Sequence, residues 1–189
     1  MKEKARVFVI SAPSGAGKTT LVRQVLEQFP HLSYSISHTT RKPRKGEIHG
    51  KDYFFTDKKG FQTLIDQDQW IEWAQVYGNF YGTSKIFVEE KLTAGDSLLL
   101  DLDVQGAKQV MAAGFALVSI FIMPPSIEVL QQRLESRGTD SKQVILQRME
   151  NAAKEIQERS LYDYVINNDD LDQAIVDLYA IFKRETGAL

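Results

Sequence analysis

Short apolar runs alternate with helical patterns through most of the chain. Buried strands are predicted at VFVI (7–10), SLLLDLD (97–103), LVSIFIM (117–123) and YVIN (164–167). Helices are predicted over residues 18–29, 104–113, 126–136, 141–160 and 171–184. Strands that alternate with helices build a parallel sheet with helices on its faces. The pattern therefore predicts an α/β fold.

Residues 34–84 interrupt this alternation. They contain the strand-like segments SYSIS, KDYFF and WIEWAQVYG, several turn glycines and most of the aromatic residues. We interpret the region as a small lobe inserted into the α/β core. A second departure is the polar hinge ESRGTDSKQ (135–143), which joins two helices rich in arginine. A core with two protrusions suits an enzyme that closes over its substrates.

Composition narrows the function classes. The 189 residues fit one domain with inserted lobes, and 43% hydrophobic with 25% charged residues is ordinary for a soluble protein. A net charge of −2 gives no reason to expect nucleic acid or an acidic membrane as partner. The opening apolar run is too short for a signal peptide, and no stretch approaches the roughly 20 apolar residues of a membrane span. We therefore predict a cytoplasmic protein.

Two residue types limit metal and redox chemistry. The chain has no cysteine, which excludes disulfides and thiolate zinc sites. Its three histidines, His31, His38 and His49, lack the spacing of metal ligands. We interpret them as surface or loop residues.

The stretch SAPSGAGKTT (11–20) lies between the first predicted strand and the first predicted helix. It matches the phosphate-loop pattern G-x-x-x-x-G-K-[ST] except that Ala12 stands at the first glycine. Backbone N–H groups and the helix N-terminus of such a loop bind phosphates. Lys18 is expected to reach the β- and γ-phosphates and Thr19 to coordinate Mg²⁺, partly through water. A capped turn that merely resembles the motif is the alternative, and the flanking elements argue against it.

A basic loop in the inserted region is the candidate acceptor site. Arg41, Lys42, Arg44 and Lys45 surround Pro43, which prevents a regular helix. Clustered guanidinium groups suit bidentate binding of phosphate. A solvated basic loop explains the same residues equally well.

Six segments in order resemble the guanylate kinase family. They are APSGAGKTT, SISHTTRKPRKGEIHGKDY, WIEWAQVYGNFYGTS, LDLDVQG, RLESRG and VINNDDLDQA, and the resemblance extends from about residue 7 to residue 182. It implies a P-loop NTPase-type sheet forming a CORE (1–33, 85–125 and 159–189), a GMP-binding lobe (34–84) and a helical LID (126–158). It also implies transfer of the γ-phosphoryl group from ATP to GMP, with Mg²⁺ as cofactor.

The resemblance assigns roles position by position. The residues expected to bind GMP are Ser37, Arg41, Arg44, Tyr53, Glu72, Tyr81, Thr83 and Asp101. The residues expected to bind ATP are Ala12, Pro13, Ser14, Gly15, Ala16, Gly17, Lys18, Thr19 and Thr20, with Asn168 against adenine. The residues expected to act in catalysis are Lys18, Arg41, Arg133, Arg137, Arg148 and Asp101.

The residues alone leave several of these roles open. The pattern alone predicts that Glu72, which lies between two tryptophans, is an outward-facing strand residue. A carboxylate nevertheless matches the N1–H and 2-amino donors of guanine. Asp101 and Asp103 end a buried strand on the same side, where α/β proteins place their sites. Asp103 also suits a simple cap of the following turn.

Three other functions compete with this interpretation. A non-catalytic guanylate-kinase-like module would bind a protein partner, but such modules usually lack an intact phosphate loop or GMP site. A kinase for another phosphorylated acceptor is opposed by the set Ser37, Glu72 and Thr83. A nucleic-acid-linked ATPase lacks support from the net charge. A homo-oligomer is compatible with the sequence.

Overall fold

The computed structural model describes residues 5–76, 78–136 and 141–187. Seventeen elements follow one another along these residues: β1 (Val7–Ser11), α1 (Lys18–Gln28), β2 (Ser33–Tyr34), β3 (His38–Thr39), β4 (Phe54–Phe55), α2 (Lys58–Asp66), β5 (Trp70–Val76), β6 (Asn79–Ser84), α3 (Lys85–Ala94), β7 (Leu98–Asp101), α4 (Val104–Ala112), β8 (Leu117–Met123), α5 (Ile127–Ser136), α6 (Lys142–Gln157), a 3₁₀ turn (Glu158–Leu161), β9 (Tyr164–Asn167) and α7 (Leu171–Thr186).

The main sheet is parallel and has the order β2-β7-β1-β8-β9. Its central strand β1 is buried at every position, because helices cover both faces of the sheet. Phe8 and Ile10 belong to one hydrophobic cluster, whereas Val7 and Val9 belong to the other. The α/β fold predicted from the alternation is confirmed.

A second, four-stranded sheet lies within the inserted region, with the order β4-β3-β6-β5. Its β3 pairs antiparallel to β6, and β6 pairs antiparallel to β5. Phe61 of α2 packs under this sheet, with its ring stacked at 4.4 Å on Trp70 and 5.3 Å on Phe80. The aromatic residues of the region thus form a small core of their own.

Helices α2 and α3 are absent from the sequence-based prediction. Both begin at a standard N-cap: Asp57 accepts a hydrogen bond from Gly60 N (2.7 Å), and Ser84 accepts one from Phe87 N (3.3 Å). The helix α3 ends at Gly95, whose φ of 88° favours glycine. These cap signals lie beside strand-like segments, which dominate the hydrophobic pattern.

Two further expectations are corrected. The segment SYSIS does not form one strand of the inserted region, because Ser33 and Tyr34 pair with β7 at the edge of the main sheet. His38 is a half-buried strand residue packed at 4.8 Å on Phe54 and 5.0 Å on Trp70, so its interpretation as a surface or loop residue is wrong. His31 and His49 are exposed. Among the described helices, none has the length and apolar character of a membrane span.

Candidate active site

The phosphate loop joins the central strand β1 to helix α1. Gly15 and Gly17 adopt φ values of 94° and 96°, a region that residues with a Cβ rarely occupy. Gly17 is the N-cap residue of α1, and its carbonyl accepts hydrogen bonds from Thr20 N and Leu21 N. Ala12 is buried at the strand exit and is not among the residues with positive φ. An alanine therefore satisfies the position where the motif has its first glycine.

Asn168 supports this loop from the end of β9. Its side-chain Nδ2 donates a hydrogen bond of 2.7 Å to the carbonyl oxygen of Ala16, and only 4% of the residue is exposed. A Cβ on Gly17 would lie 2.5 Å from the same Nδ2 atom. Gly17 is therefore required both for its φ and for the close approach of Asn168. The family resemblance predicts a contact with adenine for Asn168, which stays a prediction, and the structure shows its bond to the loop.

Lys18, in the first turn of α1, points to the end of β7. Its Nζ donates to the carbonyl oxygen of Leu102 (2.7 Å) and lies 2.5 Å from Asp101 Oδ1. Asp103 caps α4 by accepting a hydrogen bond of 2.8 Å from Gly106 N. Capping, one of the two roles left open for Asp103, is therefore observed. The structure brings the lysine and both aspartates to one edge of the sheet, as parallel strands require.

A cleft of about 810 Å³ opens at this edge. Its walls are the phosphate loop, the first turns of α1 and α4, the end of β5 and one face of α6. Thr19 and Arg148 line it, whereas Arg133 is a half-buried residue of α5 outside the lining. Arg137 lies outside the described residues.

Glu155 of α6 also lines the cleft, and the sequence analysis did not identify it. Burial raises the pKa of Glu155 to about 7, the charge of Asp103 adds to the increase, and the charge of Lys18 opposes it. Lys108 of α4 forms an ion pair of 2.8 Å with Glu158 at the end of α6. The ion pair between Lys108 and Glu158 thus links α4 to the end of α6 beside the cleft, a contact that residue spacing does not reveal.

A β-bulge places Glu72 on the face of the second sheet that carries Thr83 and Tyr81. Trp70 pairs with Ser84 but Glu72 pairs with Thr83, so one residue, Ile71, is extra on β5. Regular alternation would put Trp70 and Glu72 on the same face, and the bulge turns Glu72 to the other one. The outward orientation expected from the pattern alone is therefore wrong.

The carboxylate of Glu72 is buried beside the hydroxyl of Thr83. Thr83 Oγ1 donates a hydrogen bond of 2.6 Å to Glu72 Oε1, and the two residues are 1% and 4% exposed. Burial raises the pKa of Glu72 to about 7, opposed by the bond from Thr83 and increased further by the charge of Asp103. A buried carboxylate with one oxygen directed at a hydroxyl can accept donors from a ligand at its free lone pairs.

The basic loop is ordered by an acidic residue that the sequence analysis missed. Arg41 donates two hydrogen bonds to Glu47, from Nη1 to Oε2 (2.9 Å) and from Nη2 to Oε1 (2.8 Å). The backbone N–H of Arg44 donates to Glu47 Oε2 at 2.7 Å. These bonds lower the pKa of Glu47 to about 2, and the bond from Arg41 contributes more than the bond from Arg44. The only sequence signal was a glutamate six residues after Arg41.

Aromatic rings complete this corner. The Arg41 guanidinium lies 5.3 Å from the ring centroid of Tyr53, and the Tyr53 and Tyr81 rings are 6.0 Å apart. Ser37 directly precedes β3, and its carbonyl accepts a hydrogen bond from Phe54 N at 2.9 Å. The structure thus brings Arg41, Tyr53 and Tyr81 together, and Arg44 is an exposed neighbour of the group.

The fold and the two sites define a class of protein. A parallel sheet with a phosphate loop after its central strand, facing a separate lobe with a buried carboxylate and a basic corner, is the arrangement of a P-loop nucleoside monophosphate kinase. The family model described as "Guanylate kinase" matches residues 4–185. The chain belongs to the guanylate kinase family.

Individual relatives agree with this assignment. The guanylate kinase of Geobacter sulfurreducens is 49% identical over 185 residues, which cover 98% of this chain and 91% of that protein. The guanylate kinase of Dechloromonas aromatica is 49% identical over 177 residues, covering 94% and 88% of the two chains. The crystal structure of guanylate kinase from Anaplasma phagocytophilum superposes with a TM-score of 0.78 at 36% identity, covering 98% and 88%. The family expected from the sequence motifs is confirmed.

Proposed function

We propose that the chain transfers the γ-phosphoryl group of ATP to GMP, giving ADP and GDP, with the phosphate loop as donor site and the face around Glu72 as acceptor site. The observation that supports GMP as the acceptor is the buried carboxylate of Glu72 beside Thr83. Guanine presents two adjacent donors, N1–H and the 2-amino group, whereas adenine presents an acceptor at N1. A buried carboxylate is left unpaired by adenine, and such sites can discriminate by about 10⁴-fold or more.

The donor site uses residues 12–20. Their backbone N–H groups, with the N-terminus of α1, surround the phosphates of ATP. Lys18 exchanges its contacts with Leu102 and Asp101 for the β- and γ-phosphates, because the several charges of the phosphates attract an ammonium more strongly than a peptide carbonyl or a single carboxylate does. Asn168 holds the loop through its bond to Ala16, and the family resemblance assigns it a contact with the adenine ring.

Magnesium fits the donor site as part of the ATP complex. Among the described residues, no group of three or more His, Cys, Asp or Glu side chains is arranged to hold a metal ion. Mg²⁺ commonly binds through one or two protein oxygens, substrate phosphates and water, and the Thr19 hydroxyl in the cleft wall supplies such an oxygen. When bound there, the ion neutralises charge on the β- and γ-phosphate oxygens.

The acceptor site divides between base and phosphate. Glu72 accepts hydrogen bonds from N1–H and the 2-amino group, and Ser37 and Thr83 face the O6 side. Arg41 and Arg44, with the hydroxyls of Tyr53 and Tyr81, bind the phosphate of GMP. Asp101 pairs with Lys18 of the donor site. Burial raises the pKa of Tyr53 in the acceptor site and the charge of Asp101 contributes to the increase, which supports a role of Asp101 close to GMP and the metal region.

Phosphoryl transfer then requires positioning and charge neutralisation more than covalent chemistry. An oxygen of the GMP phosphate, anionic near neutral pH, attacks the γ-phosphorus directly, and no nucleophilic side chain is needed. Lys18 and the LID arginines Arg133, Arg137 and Arg148 stabilise the charge on the equatorial oxygens. Closure of the lobe and the LID excludes water, which would otherwise hydrolyse ATP.

The test is a coupled assay of ADP formation with ATP, Mg²⁺ and one of four acceptors: GMP, AMP, CMP or UMP. We expect rapid turnover with GMP and turnover slower by several orders of magnitude with the others. Lys18→Ala should lower kcat at least about a hundredfold, because it removes charge stabilisation from the transition state. Comparable activity with AMP would refute the guanine site. Binding of GMP without turnover would favour the non-catalytic module, and near-normal turnover by Lys18→Ala would refute the role of the loop.

A further inference from the structure

Helix α4 contacts the strand that carries Glu72 through a paired amide. Gln109 Oε1 accepts a hydrogen bond from Trp73 N (3.0 Å), and Gln109 Nε2 donates one to Trp73 O (2.8 Å). The strand β5 is the edge of its sheet, so the glutamine side chain occupies the place of a neighbouring strand. Only a side chain with both a donor and an acceptor can make this pair. The backbone directly after Glu72 is therefore fixed by α4.

Gly106, three residues before Gln109 on the same helix, lies against the carboxylate itself. A Cβ at this position would be 2.6 Å from Glu72 Oε2 and 3.2 Å from Glu72 Cδ. Gly106 lies inside α4 and is not among the glycines with positive φ, so its backbone does not require glycine. Glycine is also less favourable than alanine within a helix. The missing side chain is explained by the space that the carboxylate occupies.

The two contacts enclose the carboxylate from opposite sides. Thr83 holds Oε1 from β6, and Gly106 backs Oε2 from α4. Two hydrogen bonds from adjacent donors of a purine need the plane of the acceptor in one orientation. A shift of either wall changes that orientation.

We propose that Gly106 and Gln109 are positioning residues for guanine selectivity: Gly106 provides the space for the Glu72 carboxylate, and Gln109 fixes the strand that carries it. This inference rests on the proposed recognition of guanine by Glu72. Neither residue is among those that line the cleft of the phosphate loop, so we expect their effect to fall on the acceptor base.

The test compares Gly106→Ala and Gln109→Ala with two matched controls on α2. Gly60→Ala makes the same change at a helix position where the atoms nearest to a Cβ, Thr56 Oγ1 and Asp57 Oδ1, are 3.3 and 3.4 Å away. Gln62→Ala removes an exposed glutamine bonded within its own helix. We expect Gly106→Ala to raise the KM for GMP about tenfold or more and to lower the GMP-to-AMP ratio of kcat/KM similarly. Gln109→Ala should shift both in the same direction, and the controls should shift neither.

The KM for ATP separates positioning from general damage. It should stay within about twofold in every variant, because the donor site is intact. In a Glu72→Ala background, Gly106→Ala should cause no further loss of kcat/KM for GMP, since the group on which it acts is gone. Circular dichroism and thermal unfolding establish whether each variant is folded. If Gly106→Ala does not fold, Gln109→Ala alone tests the inference.

Three outcomes would overturn the inference. Folded variants could keep the wild-type KM for GMP and the wild-type selectivity. They could raise the KM for ATP as much as the KM for GMP. Gly106→Ala could lower kcat/KM for GMP as much in the Glu72→Ala background as without it. A wild-type chain that does not prefer GMP to AMP would instead refute the proposed function, and this inference with it. A selective wild type whose variants remain selective overturns only the positioning role.

Discussion

Replacing Glu72 by glutamine should stabilise the empty protein at neutral pH while damaging its acceptor site. The carboxyl of Glu72 has its pKa raised from 4.5 to about 7 by burial. That shift corresponds to about 3 kcal/mol of unfavourable free energy for the ionised carboxylate in the folded state. The folded state binds the proton more tightly than the unfolded one, so this group makes stability fall as pH rises from about 4.5 to about 7.

Glutamine does not ionise, so the pH dependence of the difference in unfolding free energy reports the ionisation of Glu72 directly. The difference in free energy of unfolding between Glu72→Gln and wild type should move in favour of the variant by about 2 kcal/mol between pH 5 and pH 8. A fixed offset arises from the weaker bond of Thr83 to an amide and from the new NH₂ donor, but it is the same at both pH values. Glu155 titrates in both proteins and cancels.

Urea unfolding at pH 5, 6, 7 and 8 measures this difference directly. The KM for GMP should rise in the same variant, because an amide supplies one acceptor oxygen and one unwanted donor to guanine. A difference that is constant from pH 5 to pH 8, or that moves against the variant as pH rises, would refute the assignment of a buried charge to Glu72.

Two further substitutions test the supports of each site. Asn168→Ala should raise the KM for ATP about tenfold and leave the KM for GMP nearly unchanged in steady-state kinetics. The reason is that the carbonyl of Ala16 loses its hydrogen-bond donor. Equal increases in the KM for both substrates would contradict this prediction. Glu47→Gln should raise the KM for GMP severalfold, since Arg41 loses its bidentate partner. Glu150→Gln, at an exposed position of α6, is the control. An unchanged KM for GMP in Glu47→Gln would show that Arg41 needs no such support.

The core and the donor loop could be predicted from sequence because their signals are local. The three inner strands β7, β1 and β8 are continuous apolar runs, and the phosphate loop is one short segment between a strand and a helix. The prediction of a buried strand is wrong for β9, which lies at the edge of the sheet with Val165 46% exposed. The helices α2 and α3 have local cap signals too, at Asp57 and Ser84, but the hydrophobic pattern around them is strand-like. The extents of CORE, lobe and LID stay predictions.

The acceptor site depends on contacts between distant residues, which a pattern along the chain does not contain. The orientation of Glu72 is set by a register shift against β6, and the pairing of Arg41 with Glu47 is set by a loop. Asn168 meets Ala16 across 152 positions of sequence. Family motifs named Glu72 and Asn168 as site residues, but the walls around them, Gly106 and Gln109 among them, became visible only in three dimensions.

The bulge at Ile71 has a consequence for how this lobe can change. In a strand with unbroken alternation, a one-residue shift of register moves the side chains of both faces together. Here the extra residue separates them: Trp70 belongs to the aromatic stack under the sheet, and Glu72 belongs to the opposite face. The packing that keeps the lobe folded and the carboxylate that we propose selects the base can therefore vary independently. Loss of one residue, rather than exchange of any side chain, is the change that would couple them again.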